Sequence, residues 1–203
     1  MTIDEIMRTA PVIPVLVLEG DGDWAGLAET LVGAGLPVLE VTLRTAAALD
    51  AIRAMSQVPG AIVGAGTVLN EKQLEQAIVA GSRFIVSPGL TEPLGQAAVR
   101  SGVPFLPGVA TAGDIMRGLD LGLERFKFFP AETAGGIAAL KALSGVFGNV
   151  RFCPTGGIRV DTAAAWLALP SVLCVGGSWL VEPGESDLSA IAGRARAASH
   201  LRR

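Results

Sequence analysis

Short apolar runs recur at a steady interval along this chain, and segments with helical spacing separate them. The intervening segments are rich in alanine and leucine, as in DWAGLAETLVGAG and NEKQLEQAIVAG. Apolar strands that alternate with amphipathic helices are typical of βα units that share a parallel sheet. The apolar runs are PVIPVLVL (11–18), PVLEVTL (37–43), AIVGAGTV (61–68), RFIVSPG (83–89), PFLPGVA (104–110), RFKFFPAE (125–132), RFCPTGG (151–157) and SVLCVGGS (171–178).

The number and order of these runs predict one fold class and one domain. Eight βα units predict a single-domain α/β protein, a closed (β/α)8 TIM barrel over residues 1–203, because no linker or change of composition divides the chain. A chain of 203 residues is short for such a barrel, so its connections have to be short. An open doubly wound sheet is the alternative that the same pattern allows.

Composition and charge limit the partners and the location. Half of the residues are hydrophobic and 17% are charged, which is typical of a folded protein with a large core. The formal net charge is −3 without a basic block, so no nucleic acid partner is expected. MTIDEIMRTA lacks the apolar core of a signal peptide, and no run of about 18 apolar residues predicts a membrane span. Cys153 and Cys174 lie far apart in apolar runs, so we expect free thiols and a cytoplasmic location.

The residue inventory limits the chemistry further. The single histidine is His200, and the chain contains no tyrosine, so a histidine triad, a histidine metal site and a tyrosine acid are not expected. The three lysines are Lys72, Lys127 and Lys141. Lys72 and Lys141 fall in helical segments, where lysine is usually exposed, whereas Lys127 lies within the apolar run RFKFFPAE.

Strand alternation predicts which side chains face the axis of the barrel. Successive side chains of a strand point to opposite faces, and barrel active sites lie at the carboxyl ends of the strands. In the second run Glu40, Thr42 and Arg44 share the inner face, and in the sixth run Lys127 and Phe129 do. The same alternation groups Val63, Ala65 and Thr67 in the third run, Cys153 and Thr155 in the seventh, and Cys174, Gly176 and Ser178 in the eighth.

A barrel interior with these charged residues is too polar for a simple packed core, because an unpaired buried charge is costly. One interpretation is a structural ion pair of Glu40 with Lys127 or with Arg44. The other is catalysis, because burial favours the neutral amine of a lysine, which can attack a ketone and form a Schiff base. Glu40 would then move protons, and Arg44 would bind a carboxylate through two parallel hydrogen bonds. Pyruvate is the smallest molecule that offers both a ketone and a carboxylate.

Two pairs of glycines give a separate indication of phosphate binding. PTGGI (154–158) and VGGSW (175–179) each place paired glycines after an apolar strand and before a helical segment. In barrels the loops after the seventh and eighth strands often bind phosphate through backbone N–H groups and a helix N-terminus. One such pair could mark only a tight turn, but two pairs after adjacent strands favour a phosphate site.

Taken together, these motifs resemble the 2-keto-3-deoxy-6-phosphogluconate (KDPG) aldolase family, which includes 4-hydroxy-2-oxoglutarate aldolases. The similar stretches follow the family's order and cover nearly the whole chain. They are LEVTLRT (39–45), IVGAGTVLN (62–70), SPGLTEP (87–93), FKFFPAE (126–132), RFCPTGGI (151–158) and SVLCVGGSWLV (171–181).

The resemblance implies a role for each matching residue. Lys127 resembles the family's Schiff-base lysine and Glu40 its general acid–base, acting partly through a water. The implied substrate pocket consists of Arg44 and Thr67 for the carboxylate, Pro88 for the wall, Phe129 beside the pyruvyl group and Thr155 for a substrate hydroxyl. The implied phosphate cradle consists of Gly156, Gly157, Gly177 and Ser178.

The resemblance also implies a reaction and an assembly. It implies a homotrimer of barrels without metal or cofactor, whose small-molecule substrate is a phosphorylated 2-oxo-3-deoxy sugar acid. The expected products are pyruvate and glyceraldehyde 3-phosphate, with weaker cleavage of 4-hydroxy-2-oxoglutarate to pyruvate and glyoxylate. Arg159 and the basic end GRARAASHLRR depart from the family pattern, and neither bears on the implied chemistry. Thr155 favours the gluconate epimer, because related galactonate-type aldolases tend to have an apolar residue there.

Three other functions fit parts of the pattern. A phosphate-binding barrel isomerase or epimerase would share the glycine pairs, but it would need a metal or a second acid–base group. A phospho-sugar binding protein without activity would have no use for Lys127, Glu40 and Arg44 together. An aldolase that acts mainly on the galactonate epimer or on 4-hydroxy-2-oxoglutarate would use the same lysine.

Overall fold

Helices and short parallel strands alternate along the computed structural model, which describes residues 1–201. All eight predicted apolar runs contain a strand. The strands are β1 (Val12–Leu16), β2 (Val38–Thr42), β3 (Ile62–Gly66), β4 (Phe84–Val86), β5 (Phe105–Leu106), β6 (Gly108–Val109), β7 (Arg125–Phe128), β8 (Arg151–Pro154) and β9 (Val175–Gly177). The helices are α1 (Ile3–Thr9), α2 (Trp24–Gly33), α3 (Ala48–Ser56), α4 (Glu71–Val79), α5 (Glu92–Ser101), α6 (Ala112–Asp120), α7 (Gly136–Val146), α8 (Ala163–Leu167) and α9 (Leu188–Ser199). Arg202 and Arg203 of the basic C-terminal end lie outside the described residues.

The strands form two parallel sheets rather than one continuous ring of eight. Six strands follow the order β5-β4-β3-β2-β1-β9, and three follow the order β6-β7-β8. The fifth predicted run is divided at Pro107 into β5 and β6, because proline has no N–H to donate to a neighbouring strand. Isolated bridges from Phe152 to Val172 and from Thr155 to Gly176 join the β8 side to the β9 side.

Two apolar clusters pack on the two faces of the strands. The larger cluster lies between strands and helices, and it contains Leu39 and Val41 of β2 together with Phe126 and Phe128 of β7. The smaller cluster lies inside the curve of the strands and takes one residue from the amino-terminal half of several of them. Its members are Ile6, Met7, Ile13, Val38, Ile62, Phe84, Val86, Leu106, Cys153, Leu173 and Cys174. The interior is therefore apolar at the amino ends of the strands, which leaves the carboxyl ends for polar side chains.

Helix α1 contributes to this inner cluster, although the sequence analysis assigned it no helix. It begins with a capping box, in which Thr2 accepts a hydrogen bond from the N–H of Glu5 and Glu5 accepts one from the N–H of Thr2. Its buried residues Ile6 and Met7 belong to the inner cluster. Asp4 forms ion pairs with Arg8 and with Arg125 at the start of β7. These hydrogen bonds hold the pKa of Asp4 below its ordinary value, because they stabilise its carboxylate form.

Short polar caps delimit the helices that surround the strands. Asn70 and Thr111 each accept a hydrogen bond from the third residue of the helix that follows, Gln73 and Asp114 respectively. Gly102 ends α5 with a φ of +71°, a conformation that glycine adopts without steric cost. Within residues 1–201, no helix combines the length and the apolar character that crossing a lipid bilayer requires.

Candidate active site

One ion pair is buried inside the strands, between Lys127 of β7 and Glu40 of β2. Nζ of Lys127 donates a hydrogen bond to Oε1 of Glu40 at 2.9 Å. The two side chains are 7% and 4% exposed, and among residues 1–201 they are the only charged residues classed as buried. Burying two charges requires close pairing to offset the loss of hydration. The pair lies at the base of a cavity of about 270 Å³ that opens at the carboxyl ends of the strands.

Glycines of the neighbouring strand β3 make room for the Glu40 side chain. Glu40 pairs with Gly64 in the parallel register of β2 and β3. A Cβ atom added to Gly66 would lie 2.2 Å from Oε1 of Glu40, so the carboxylate occupies the space above this glycine. A Cβ atom at Gly64 would instead overlap with the ring of Phe84, below the cavity. The sequence GAG in this strand is therefore explained by the acid on the next strand and by the packing beneath it.

An aromatic ring and an arginine flank the ion pair. The ring of Phe129 lies with its centroid 5.4 Å from Nζ of Lys127, within the range of a cation–π contact. Arg44 lies in the exposed turn after β2 and lines the mouth of the same cavity. Among the salt bridges of residues 1–201, none involves Arg44, so its guanidinium is available to an anion. The cavity thus offers an amine, a carboxylate and a guanidinium without an ion pair to one small ligand.

The sequence model of the KDPG and KHG aldolase family matches residues 3–193. The chain belongs to the KDPG and KHG aldolase family. It is accordingly an enzyme of the carbon–carbon lyase class.

Three relatives show how close the similarity is. The chain is 54% identical over 190 residues to the KHG/KDPG aldolase of Escherichia coli K12, which covers 91% of this chain and 89% of the relative. It matches the crystal structure of the KDPG aldolase of Zymomonas mobilis ZM4 with 3-phosphoglycerate at 59% identity and a TM-score of 0.97, over 99% and 96% of the two chains. It matches the KDPG aldolase of Legionella pneumophila, in which pyruvate is captured as a covalent carbinolamine, at 45% identity and a TM-score of 0.94, over 98% of each chain.

Most of the predicted site residues line the cavity of this aldolase. The structure brings together ten of them: Glu40, Arg44, Thr67, Pro88, Lys127, Phe129, Thr155, Gly156, Gly157 and Ser178. Lys72 of α4 and Lys141 of α7 are exposed on helices, as the sequence predicted. Of the three lysines, only Lys127 can therefore serve a catalytic role in this cavity.

Gly177 is the predicted residue that the cavity does not include. Gly176 lines the cavity instead, and a Cβ atom added to Gly177 would overlap with the ring of Trp179. The position that a side chain would occupy at Gly177 therefore faces Trp179 and not the cavity. Arg159 is also absent from the cavity, because its guanidinium is paired with the carboxylate of Asp161 at 3.1 Å, and both side chains are exposed.

Thr67 reaches the cavity by a route that alternation did not predict. Strand alternation predicts Val63, Ala65 and Thr67 on one inner face, which is wrong for the first two. Val63 and Ala65 pack in the outer cluster against the helices. Thr67 has a φ of +58°, a left-handed conformation that is unusual for a β-branched residue, and the chain turns there so that Thr67 lines the cavity. Such strain, of about 1–3 kcal/mol, often marks a functional site.

Four residues that the sequence analysis gave no role also line the cavity, namely Val15, Thr42, Ile158 and Gly176. Alternation placed Thr42 and Gly176 on inner faces, but their chemistry did not single them out. Val15 lies in an apolar run without a functional indication, and Ile158 is the apolar residue that ends the PTGGI motif. Residues 1–201 hold no group of three or more histidine, cysteine or acidic side chains that could bind one metal ion.

The close approach of Gly66 to Glu40 gives a testable expectation. Gly66→Ala places a Cβ atom against the carboxylate, so the Glu40 side chain or strand β3 has to shift. We expect a loss of stability of about 1–3 kcal/mol, as for other overpacked cores. We also expect turnover to fall on the order of 100-fold, because the substitution displaces the carboxylate that the family resemblance implies as the proton-transfer group. Thermal denaturation and initial-rate kinetics measure the two effects.

A glycine on the surface supplies the control for this substitution. Gly193 is exposed in α9, and a Cβ atom added there meets nothing within 4 Å. Gly193→Ala is expected to leave turnover unchanged and to raise stability slightly, because alanine is the better helix former. If Gly66→Ala behaves like Gly193→Ala, the space above Gly66 has no part in placing Glu40.

Proposed function

We propose that this chain is a class I aldolase that cleaves KDPG to pyruvate and glyceraldehyde 3-phosphate, and that it also cleaves 4-hydroxy-2-oxoglutarate to pyruvate and glyoxylate. The observation that carries the proposal is the buried pair of Lys127 and Glu40 beneath an unpaired arginine. The relatives support it, since the E. coli protein is a KHG/KDPG aldolase and the Legionella enzyme captures pyruvate covalently.

The reaction begins with a proton transfer along the hydrogen bond of the pair. When Glu40 takes a proton from the ammonium group of Lys127, the neutral amine can attack the C2 ketone of the substrate. The bond from nitrogen to C2 forms a carbinolamine, and a proton from Glu40 then lets its hydroxyl leave as water. The product is an iminium ion, which withdraws electrons from C3.

The carbon–carbon bond then breaks with the iminium as electron acceptor. Glu40, or a water that it binds, takes the proton of the C4 hydroxyl, and C4 leaves as the aldehyde of glyceraldehyde 3-phosphate. The electrons of the C3–C4 bond form an enamine on Lys127. Glu40 returns a proton to C3, and water hydrolyses the resulting iminium to pyruvate and the free amine. Glu40 lies within hydrogen-bond reach of the amine. Because one carboxylate serves several proton positions, the cycle requires water in the site to carry protons between them.

The remaining cavity residues bind the two ends of the substrate. Arg44 and Thr67 bind the carboxylate, which places C2 over Lys127, while Pro88 and Phe129 flank the pyruvyl carbons. Gly156 and Gly157, with φ of +101° and +81°, form with Ser178 the cradle for the phosphate. Gly177 belongs to the cradle only by the family resemblance, because it does not line the cavity. The 3-phosphoglycerate in the Zymomonas structure supports a site for phosphorylated ligands.

We propose that residues 1–203 form a single domain whose two sheets close into a (β/α)8 barrel. The pair of Lys127 and Glu40 supports closure, because it joins strands of different sheets across the interior. The bridges between the β8 and β9 sides and the continuity of β5 with β6 through Pro107 support it further. A homotrimer in the cytoplasm remains our expectation from the family resemblance, and sedimentation analysis tests the trimer.

The proposal is tested by following pyruvate release from KDPG and from 4-hydroxy-2-oxoglutarate with the purified chain. Release from both substrates, faster from KDPG, supports the assignment. Release from the second substrate alone would show that the phosphate cradle is misassigned. Conversion of a phosphorylated sugar without pyruvate release would favour the isomerase or epimerase alternative.

Thr155 gives an expectation about the choice between epimers. Its hydroxyl is only loosely held, at 3.4 Å from the carbonyl oxygen of Cys153, and so it can bond to a substrate hydroxyl. Thr155→Val removes this bond while it conserves shape, and we expect the preference for KDPG over its galactonate epimer to fall about tenfold. The ratio of kcat/KM for the two epimers measures it. Trapping of pyruvate on Lys127 by borohydride should stay unchanged, since pyruvate lacks that hydroxyl. An unchanged epimer ratio would remove Thr155 from the specificity pocket.

A further inference from the structure

A chain of hydrogen bonds connects Arg44 to strand β1 through the side chain of Thr42. Nε of Arg44 donates to Oγ1 of Thr42 at 3.2 Å. Oγ1 of Thr42 in turn donates to the carbonyl oxygen of Leu16 at 2.9 Å. Thr42 is fully buried, and the Leu16 carbonyl lies at the end of β1. The only hydrogen of the Thr42 hydroxyl is thereby directed at the backbone, which leaves its lone pairs to face the arginine.

This arrangement restrains one part of Arg44 and leaves another part free. The arginine side chain lies at the exposed mouth of the cavity, where it could adopt many rotamers. A hydrogen bond at Nε fixes the plane of the guanidinium, whereas the N–H groups of its two terminal nitrogens remain available for a carboxylate. Threonine suits this task better than serine, because its branched Cβ restricts rotation of the hydroxyl-bearing bond.

We propose that Thr42 is a positioning residue, which orients Arg44 in advance for the carboxylate of the 2-oxo acid. The inference rests on the proposed function, in which Arg44 binds that carboxylate. Thr42 itself takes no part in proton transfer or in bond cleavage. Its loss should therefore weaken the binding of substrates that carry the carboxylate far more than it slows the chemical steps on Lys127.

A second threonine in the same turn provides a matched control. Oγ1 of Thr45 donates to the carbonyl oxygen of Leu18, so it also anchors the turn after β2 to the chain after β1. Thr45 makes no hydrogen bond with Arg44, and it does not line the cavity. Thr45→Val therefore removes an anchor of the same chemical kind without touching the arginine.

The experiment compares Thr42→Val, Thr42→Ser, Thr45→Val and Arg44→Ala. The readouts are kcat and KM for KDPG and the half-saturating concentration for borohydride trapping on Lys127. Trapping is carried out with pyruvate and with hydroxyacetone, a ketone that lacks the carboxylate. For Thr42→Val we expect KM and half-saturation by pyruvate to rise about three- to tenfold, the effect of ordering one long side chain. Trapping of hydroxyacetone should remain as in the unmodified enzyme, and Thr42→Ser should restore most of the pyruvate affinity.

The controls separate positioning from general damage to the site. Thr45→Val should leave the half-saturating concentrations of pyruvate and of hydroxyacetone unchanged, even if it lowers the melting temperature. If Thr42→Val weakens the binding of pyruvate and of hydroxyacetone equally, Thr42 only supports the local fold. That result would overturn the inference. If valine prevents folding, Thr42→Ala removes the same hydroxyl with less steric demand, and the same comparison of ketones applies.

Failure of the inference and failure of the proposed function give different results. If Arg44→Ala weakens pyruvate binding but Thr42→Val does not, Arg44 binds the carboxylate without help from Thr42. In that case only the positioning role is wrong. If Arg44→Ala leaves pyruvate binding unchanged, the carboxylate assignment of Arg44 in the proposed function is wrong, and the positioning role fails with it.

Discussion

Replacing Lys127 by methionine is expected to abolish aldol cleavage and the covalent capture of pyruvate. Methionine has a similar length and no charge, so it can occupy the space without supplying an amine. If Lys127 forms the covalent intermediate, as proposed, its removal should lower kcat on the order of 10⁴-fold or more. The measurement is incubation with pyruvate and borohydride followed by peptide mass spectrometry, alongside pyruvate release from KDPG. The unmodified enzyme should carry a reduced pyruvyl group on Lys127, and Lys127→Met should carry none.

The other two lysines make the experiment decisive. Lys72 and Lys141 are exposed on helices, and Lys72→Met and Lys141→Met should therefore be trapped and turn over like the unmodified enzyme. An adduct on Lys72 or Lys141 alone, or no adduct at all, would contradict the Schiff-base mechanism on Lys127. The phosphate-binding isomerase or epimerase would then become the leading alternative, because it uses the glycine loops but no amine.

The sequence predicted the buried charged residues of the cavity because a charge between apolar neighbours marks the inner face of a strand. Glu40 and Lys127 are polar residues between apolar neighbours, and alternation assigned each of them to the interior. Their separation along the chain is 87 residues, so alternation could indicate the same interior but not a contact at 2.9 Å. That distance depends on how β2 and β7 face each other across the strands, which is a property of the whole fold.

The same reasoning failed where side chains are small. In β3 the residues that face inwards are Gly64 and Gly66, and they have no side chain to reveal the face. The apolar Val63 and Ala65 suited either side, and the left-handed turn at Thr67 reversed the alternation at the end of the strand. The sequence GAG did offer another indication of the inner face. Glycines on a strand next to one with a buried acid indicate that the acid side chain occupies the space above them.

The limits of the strands depended on local details of backbone hydrogen bonding. Pro107 divides one predicted run into β5 and β6, because its nitrogen cannot donate, while its carbonyl oxygen accepts a hydrogen bond from the N–H of Lys127. At β9 the two glycines of VGGSW face opposite sides, so Gly176 rather than Gly177 lines the cavity. A pair of identical residues cannot reveal by itself which member points inwards.

Replacing Glu40 by glutamine is expected to lower kcat for cleavage by about 10²- to 10⁴-fold, the usual contribution of a general acid–base group. The amide has the same shape and can still accept a hydrogen bond from Nζ of Lys127, but it cannot take the proton that frees the amine. Pyruvate should still be captured on Lys127 by borohydride, only more slowly. Initial rates of pyruvate release and the rate of adduct formation measure the two steps.

Stability measurements then separate catalysis from a purely structural ion pair. Removing one partner of a buried pair typically costs about 3–5 kcal/mol, because the other charge stays buried without compensation. Glu40→Gln should therefore unfold at a lower denaturant concentration, and the double variant Glu40→Gln with Lys127→Met should regain much of the lost stability because no buried charge remains. If the pair served structure alone, Glu40→Gln would lose stability but keep its turnover in the folded fraction. If it serves catalysis, turnover per folded molecule falls in Glu40→Gln, and the double variant regains stability without activity.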